Sequence, residues 1–499
     1  VGTLGARFNG RLDGAGYVIN GLTINRPSTD FVGLIGAAHV GSSISNLGLV
    51  GASVRGRNFV GGLVGIGAGS ITQVYATGEV TGNIRVGGLA GDNDIGGTIS
   101  QSYASVTVEG DIISGGLVGL NFGTITQAYA TGGVTGSLNV GGLVGQNFGT
   151  ITQSYWDTET TGRATSAGGT GLTTAEARTQ TSYEGWGFAT VWYQAGDMRP
   201  ILRSEAAAPV NGVITIRNLN QLQLMGANLA GSYRLAGNID ASASTGSYAA
   251  GIWGSGGFVP VGTDAAHFTG SLDGAGHVIN GLMINRGESD FVGLIGLAGT
   301  DSSISNLGLV NGSVRGSSSV GGLVGFNSGN ITRSYAIGGE IFGDSFVGGL
   351  VGRLSNGTIE QSYATGRVEG RSAVGGLAGV IEGSGRIKQS YASGAVSGTE
   401  NLGGLAGYMT SGRIEEAYAT GAVTGINAVG GLVGIFDGGR IEKAYATGVV
   451  PGQMVAGGLV ASSEAGIIAQ SYWDTQSTGQ SGSAGGTGLT TAQMQDITS

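Results

Sequence analysis

The sequence predicts an all-β fold, a right-handed parallel β-solenoid (β-helix) of about 27 residues per coil, with short helices at a junction between modules. Three observations carry this prediction. Glycine-flanked apolar units recur at a near-constant period. A larger duplication encloses the small repeat. The composition is rich in glycine yet poor in proline and charge.

The GG-Leu-Val/Ala units begin at Gly61, Gly87, Gly115 and Gly141, and again at Gly321, Gly348, Gly375, Gly403, Gly430 and Gly457. Their spacing within each array is 26 to 28 residues. Each period holds three β-prone runs bounded by glycine: "VGGLVG", "ITQSYAT" and a brief "GEVTG"-like segment. Helical repeats need longer periodic stretches, and propeller blades need about 40–45 residues. One three-sided coil per period is the economical reading.

Stacked coils place equivalent residues one strand spacing apart, about 4.8 Å. Leu63, Leu89, Leu117 and Leu143 then form one interior ladder, and Ile71, Ile99, Ile125 and Ile151 another. The tyrosines follow in step: Tyr75, Tyr103, Tyr129 and Tyr155, then Tyr335, Tyr363, Tyr391, Tyr418, Tyr445 and Tyr472. They are expected to stack as structural aromatics first and to contact ligand second. Small residues before them (Val74, Ser102, Ala128) point to an inward position with little room. The glycine pairs are expected at a corner, where positive φ or close backbone approach excludes a Cβ. The two variable polar residues after each isoleucine predict a bend or bulge.

"FNGRLDGAGYVINGLTINR" at 8–26 returns as "FTGSLDGAGHVINGLMINR" at 268–286, and "SYWDTETTG" at 154–162 returns as "SYWDTQSTG" at 471–479. The offsets, 260 and 317, differ by about two coils. The organisation expected is therefore a first module over 1–153, a junction over 154–260, a second, longer module over 261–470, and the start of another junction over 471–499. Both ends fall inside modules, which predicts a piece of a longer polypeptide. Helices are expected only near 173–180, with Thr173 or Thr174 as cap, and near 217–229, with Asn218 as cap. The junction holds Trp156, Trp186, Trp192 and Trp253, and Trp156 and Trp473 occupy equal places in the two copies, so packing is the expected role.

Among 499 residues glycine supplies 105 and proline 5; charged residues are 11% against about 25% in average soluble proteins. With 40% hydrophobic residues, disorder is excluded. The net charge of −9 and the scattered basic residues give no footprint for nucleic acid. Cysteine is absent, so no disulfide or thiolate site holds the fold. No apolar run approaches a membrane span, so no membrane insertion is expected.

The three histidines, His39, His267 and His277, form no HExxH, and neither a GxSxG elbow nor a phosphate loop occurs. No catalytic residue is assigned and no enzyme activity is expected; a glycan-cleaving β-helix enzyme is the rival, and it would require clustered carboxylates on one face. Asp92 and Asp94 in "GDNDIGG" and Asp13 and Asp273 in "LDGAG" are the candidates. Turn chemistry accounts for them better than Ca2+ binding or catalysis. Ca2+ is the one cofactor the pattern leaves open.

The pattern "VGGLVGxNxGxITQSYATGxVTG", as at 140–155 and 320–335, resembles the GLUG repeat. That resemblance implies a very large secreted bacterial protein: a filamentous-haemagglutinin-like adhesin exported by two-partner secretion, or the non-catalytic region of an IgA-specific metallopeptidase. The "YWDT…TTG…GGTGLTTAE…W…RPIL" stretch over 155–202 resembles a junction common in such adhesins. The expectation is a stalk or binding region at the bacterial cell surface, acting in attachment or biofilm formation. Its expected partners are surface glycans, extracellular polysaccharide or sister adhesin molecules, with a secretion partner in the outer membrane implied by the resemblance. A pure spacer is the closest alternative within the class, and an ice-binding solenoid a remoter one.

Overall fold

The computed structural model describes residues 1–451 and 454–496. Gly452 and Gln453 of the second array and the last three residues of the 471–499 junction lie outside the described residues. The chain divides into two compact units, Val1–Ala208 with Tyr248–Gly254, and Pro209–Ser247 with Ser255–Ser499. Both are parallel β-solenoids; together they make about 17 turns, and only 6% of the residues are helical.

Leucine sets the stacking. Leu63, Leu89, Leu117 and Leu143 are all fully buried. Leu63 N–H donates to Leu89 O at 3.0 Å, Leu89 N–H to Leu117 O at 2.9 Å and Leu117 N–H to Leu143 O at 2.9 Å. In the second unit the same column runs from Leu323 through Leu350, Leu377, Leu405 and Leu432 to Leu459, with N–O distances of 2.8–3.0 Å. Each such side chain contributes about 1.5–3 kcal/mol through burial. The glycine pair permits the approach: a Cβ on Gly61 would lie 2.6 Å from Leu89 O, and one on Gly62 would lie 2.6 Å from Gly88 O. The pair works by close contact alone, since neither glycine has a positive φ.

The coil has four strands in the second unit, not the expected three. Its sheets are three of ten strands and one of seven. "VGGLVG" is split by its Gly-Leu bend, as in Ser318–Gly321 and Val324–Asn327, and "ITQSYAT"-type segments are split likewise, as in Asn330–Thr332 and Tyr335–Ile337. The second split has a backbone cause. The residue two after each isoleucine is left-handed: Arg333, Gln361, Gln389 and Glu416 have φ of 47°, 51°, 48° and 51°, and each falls between two strands. This is the bend expected at the variable polar pair. A second left-handed position falls two residues before each glycine pair, at Phe59, Arg85, Ile113 and Asn139 (φ 53–60°). For non-glycine residues this conformation costs roughly 1–2 kcal/mol each, and the ladder bonds on either side hold it in place.

Polar side chains stack as regularly as apolar ones. Gln73 Nε2 donates to Gln101 Oε1 (3.0 Å), Gln101 to Gln127 (3.3 Å) and Gln127 to Gln153 (3.3 Å). In the second unit Gln361 donates to Gln389 (3.4 Å) and Gln389 to Glu416 Oε2 (2.8 Å). The inward serines are saturated: Ser362 Oγ donates to Glu360 O (2.8 Å) and accepts from Ser334 N–H (3.1 Å).

The junction is not a separate element, which corrects its expected span of 154–260. Val213–Ile216 and Ser232–Leu235 are the first rungs of a ten-stranded sheet that continues through Ser271–Asp273, so the second solenoid starts near 213 rather than 261. The helices are shorter and more numerous than expected. Thr174–Ala177 carries a Thr173–Glu176 capping box, and Leu219–Gln223 is capped by Asn218 and runs into the 3-10 turn Leu224–Ala227. Thr475–Thr478 and Thr491–Gln495 were not expected.

Ile113 is a β-branched residue at a left-handed position that asparagine fills in the next coil as Asn139. Ile113→Asn is expected to raise the stability of the first unit by about 0.5–1 kcal/mol, since asparagine tolerates this conformation. Urea unfolding checks this; a loss of stability would show that the isoleucine's contacts outweigh its strain.

Candidate functional site

The tyrosine column is built identically in the two units and finished differently. In each, the first ring lies over a glycine of the preceding coil: a Cβ on Gly48 would sit 2.6 Å from Tyr75 Cε1, and one on Gly308 2.5 Å from Tyr335 Cζ. Tyr75, Tyr103 and Tyr129 stack with centroids 5.0–5.1 Å apart. Tyr335, Tyr363, Tyr391, Tyr418 and Tyr445 stack at 4.7–5.0 Å, with planes within 9°. Ile71, Ile99 and Ile125 are buried beside the first column, whereas Ile151, in the last coil, is half-buried.

In the first unit the segment 183–205 folds back over the rings. Trp186 and Trp192 stack at 4.1 Å, Trp192 lies 6.0 Å from the Tyr129 ring, and Tyr183 meets Tyr155 edge-on at 5.2 Å. Tyr129 Oη donates to Pro200 O (2.7 Å) and Tyr103 Oη to Glu205 Oε1 (3.1 Å). Tyr75, Tyr103, Tyr129 and Tyr155 are all buried. Burial, followed by the Glu205 carboxylate, holds the phenols of Tyr75 and Tyr103 well above their ordinary range. Arg199 locks the segment. Fully buried, its guanidinium donates to the carbonyls of Ala249 and Gly251 and pairs with the buried Asp157. All five tryptophans are buried.

The second column is open. Tyr335, Tyr363, Tyr391, Tyr418 and Tyr472 are half-buried and Tyr445 is 36% exposed. Among the described residues, the stacked phenols of Tyr335, Tyr363, Tyr391, Tyr418 and Tyr445 make no hydrogen bond. Burial, then the adjacent ring, raises the Tyr363 and Tyr445 phenols.

A cleft of about 610 Å³ also runs across successive coils of the second unit. Its floor is a glycine column, Gly316, Gly343, Gly370 and Gly398, in which each glycine stands five residues before a GG pair. One wall is the register Arg315–Phe342–Glu369–Ser397. The other carries Asp344, Arg371 and Thr399, with Glu288 at one end. Glycine is required in this column because a Cβ on Gly343 would meet the buried Val320 Cγ2 at 2.8 Å and Val347 Cγ2 at 2.9 Å. Neither this cleft nor Arg199 was picked out from the sequence. The glycine at minus five was the available signal for the first, and a lone arginine in the apolar stretch "DMRPIL" for the second.

The acidic candidates do not come together. Asp13 Oδ1 accepts from Ala15 N–H (3.0 Å) and Asn46 Nδ2 (3.0 Å), and Asp273 Oδ1 accepts from Ala275 N–H (2.9 Å) and Asn306 Nδ2 (2.9 Å), so both act as turn acceptors. Asp92 is buried, with Oδ2 2.6 Å from Arg85 Nη1 and Oδ1 accepting no hydrogen bond. Burial pushes its carboxyl up to about 6 against the pull of Arg85. Asp94 pairs loosely with Arg7 at 3.8 Å. Among the described residues no three His, Asp or Glu side chains are grouped to hold a metal.

Comparison with known proteins agrees with the repeat. The GLUG motif matches residues 345–369, 370–397 and 398–424, three successive coils of the second unit. A stretch of 88 residues is 44% identical to halomucin of Haloquadratum walsbyi; it covers 18% of this chain and 1% of that protein. A structure of a candidate immunoglobulin A1 protease from Bacteroides ovatus matches with a TM-score of 0.42 at 23% identity, over 56% of this chain and 85% of that one. An IgA1 protease structure matches with a TM-score of 0.35 at 17% identity, over 52% of this chain and 21% of that one. The chain is thus a β-solenoid repeat region that carries GLUG motifs.

Two outcomes follow from the buried charges. Arg199→Ala leaves Asp157 buried and unpaired, so the first unit is expected to lose about 3–5 kcal/mol in urea unfolding. For Asp92 the folded state binds the proton more tightly than the unfolded chain, whose carboxylates titrate near 4. Stability should therefore fall as pH rises from about 4 to about 6 and level off above, by on the order of 1–3 kcal/mol. Asp92→Asn should flatten that slope, and an unchanged slope would assign it to other groups.

Proposed function

We propose that this chain is the stalk and binding region of a large secreted adhesin of the bacterial cell surface, of the filamentous-haemagglutinin-like, two-partner-secretion type. It serves attachment or biofilm formation and performs no catalysis itself. The observation that carries this reading is the glycine-floored cleft, whose glycine floor repeats from coil to coil and whose walls place at least one polar or charged side chain on each coil. A site that repeats along one axis suits a ligand that also repeats, such as a surface glycan or extracellular polysaccharide. Modest contacts at each coil then add through multivalency. The GLUG motifs and the similarity to halomucin support a repeat region of an extracellular protein.

Glu288, Asp344 and Glu369 in the cleft also keep the glycan-cleaving alternative testable. The experiment is a binding titration of extracellular polysaccharide against the 499-residue chain and an Asp344→Trp variant, which fills the cleft from an exposed position. At least a tenfold loss of affinity, with an unchanged circular dichroism spectrum, is expected. Equal binding by the two proteins would remove the cleft as the binding face, and release of reducing ends would replace the adhesin reading with the enzyme.

A further inference from the structure

The stretch 154–179 and its copy 317 residues later fold alike. Tyr155–Asp157 pairs with Thr170–Leu172, and Tyr472–Asp474 pairs with Thr487–Leu489. Trp156 Nε1 donates to Arg163 O (2.8 Å) and Trp473 Nε1 to Gln480 O (3.0 Å). The Thr173–Glu176 capping box is matched by Thr490–Gln493. Asp157 and Asp474 are both buried, at 1% and 3% exposure, and accept from the equivalent hydroxyls of Thr174 and Thr491.

What differs is what each copy receives. Asp157 takes the Arg199 guanidinium, whereas Asp474 forms no ion pair with any described residue. Burial disfavours its charge, but hydrogen bonds from the Thr491 hydroxyl and the Ser477 and Gln476 N–H groups keep its carboxyl below the ordinary value, so it remains an anion. Above it, Tyr391, Tyr418, Tyr445 and Tyr472 hold the places that Tyr75, Tyr103, Tyr129 and Tyr155 hold in the first unit, but among the described residues they have no aromatic lid and no phenol acceptors.

We propose that Tyr391 to Tyr472 together with Asp474 form a docking site for a polypeptide strap with the chemistry of residues 183–205. The strap brings a tryptophan pair to cover the rings, carbonyl and carboxylate oxygens to accept from the phenols, and an arginine to neutralise the buried Asp474. Its entry point is set by the helix Thr491–Gln495, the counterpart of Thr174–Ala177. Because the second column is two rings longer, Tyr335 and Tyr363 stay uncovered.

The test appends a copy of residues 183–208 after Ser499, which stands in register with Ser182. Tyrosine nitration is then followed residue by residue by mass spectrometry. Nitration of Tyr418 and Tyr445 is expected to slow at least tenfold, with Tyr335 unchanged as the internal control. A strap whose counterparts of Trp186, Trp192 and Arg199 are all alanine should give no protection, and Asp474→Asn should weaken protection only in the strapped protein. Unchanged nitration with the native strap overturns the proposal, as does equal protection by the alanine strap. Protection by polysaccharide alone would instead make the column a glycan-binding face. The nitration pattern of Tyr75 to Tyr155 reports in each case that the first unit has kept its fold.

Discussion

Everything in this molecule depends on how closely one coil can approach the next. The leucine column sets that approach: a backbone N–H of one coil donates to the leucine carbonyl of its neighbour, and the side chains fill the interior directly beneath. The glycine pair exists because the neighbouring carbonyl occupies the space where a Cβ would stand. Once that distance is fixed at the strand spacing, every residue type that recurs at the period stacks on its own kind. The isoleucine, serine, glutamine and tyrosine columns are consequences of this one constraint.

Stacking specifies columns but does not decide whether a column is covered. The two tyrosine stacks show this within one chain. Their ring separations are nearly equal, yet one set is buried beneath tryptophans and the other faces outward. The difference comes entirely from a non-repetitive segment closed by a buried ion pair. Repeats here supply the platform, and the irregular sequence between them decides its state.

This division also explains what could be read in advance. Period, coil stacking and ladder membership follow from spacing alone, because any residue that recurs at the period must stack. The splitting of each expected strand was harder to see, since left-handed backbone at Arg333, Gln361 or Glu416 has no side-chain signature; such residues do not favour it, and the neighbouring coils impose it. The true start of the second solenoid was hidden because "VITI" and "SYRL" lack the glycine punctuation of the later coils. The cleft was hidden for another reason: its floor is glycine backbone laid against buried valines, and only stacking turns isolated glycines into a continuous groove.

The amide columns have one further property. In the second unit Glu416 closes the run Gln361–Gln389–Glu416, and a carboxylate can only accept. Gln389 must therefore turn its NH2 toward Glu416 and its oxygen toward Gln361, which in turn must donate. One anion thus orients each amide behind it, and the aligned dipoles reinforce one another in the manner of a hydrogen-bonded chain. The pair of neutral amides thereby acquires a head and a tail, and a partner lying along it would meet a different electrostatic field in each of its two orientations.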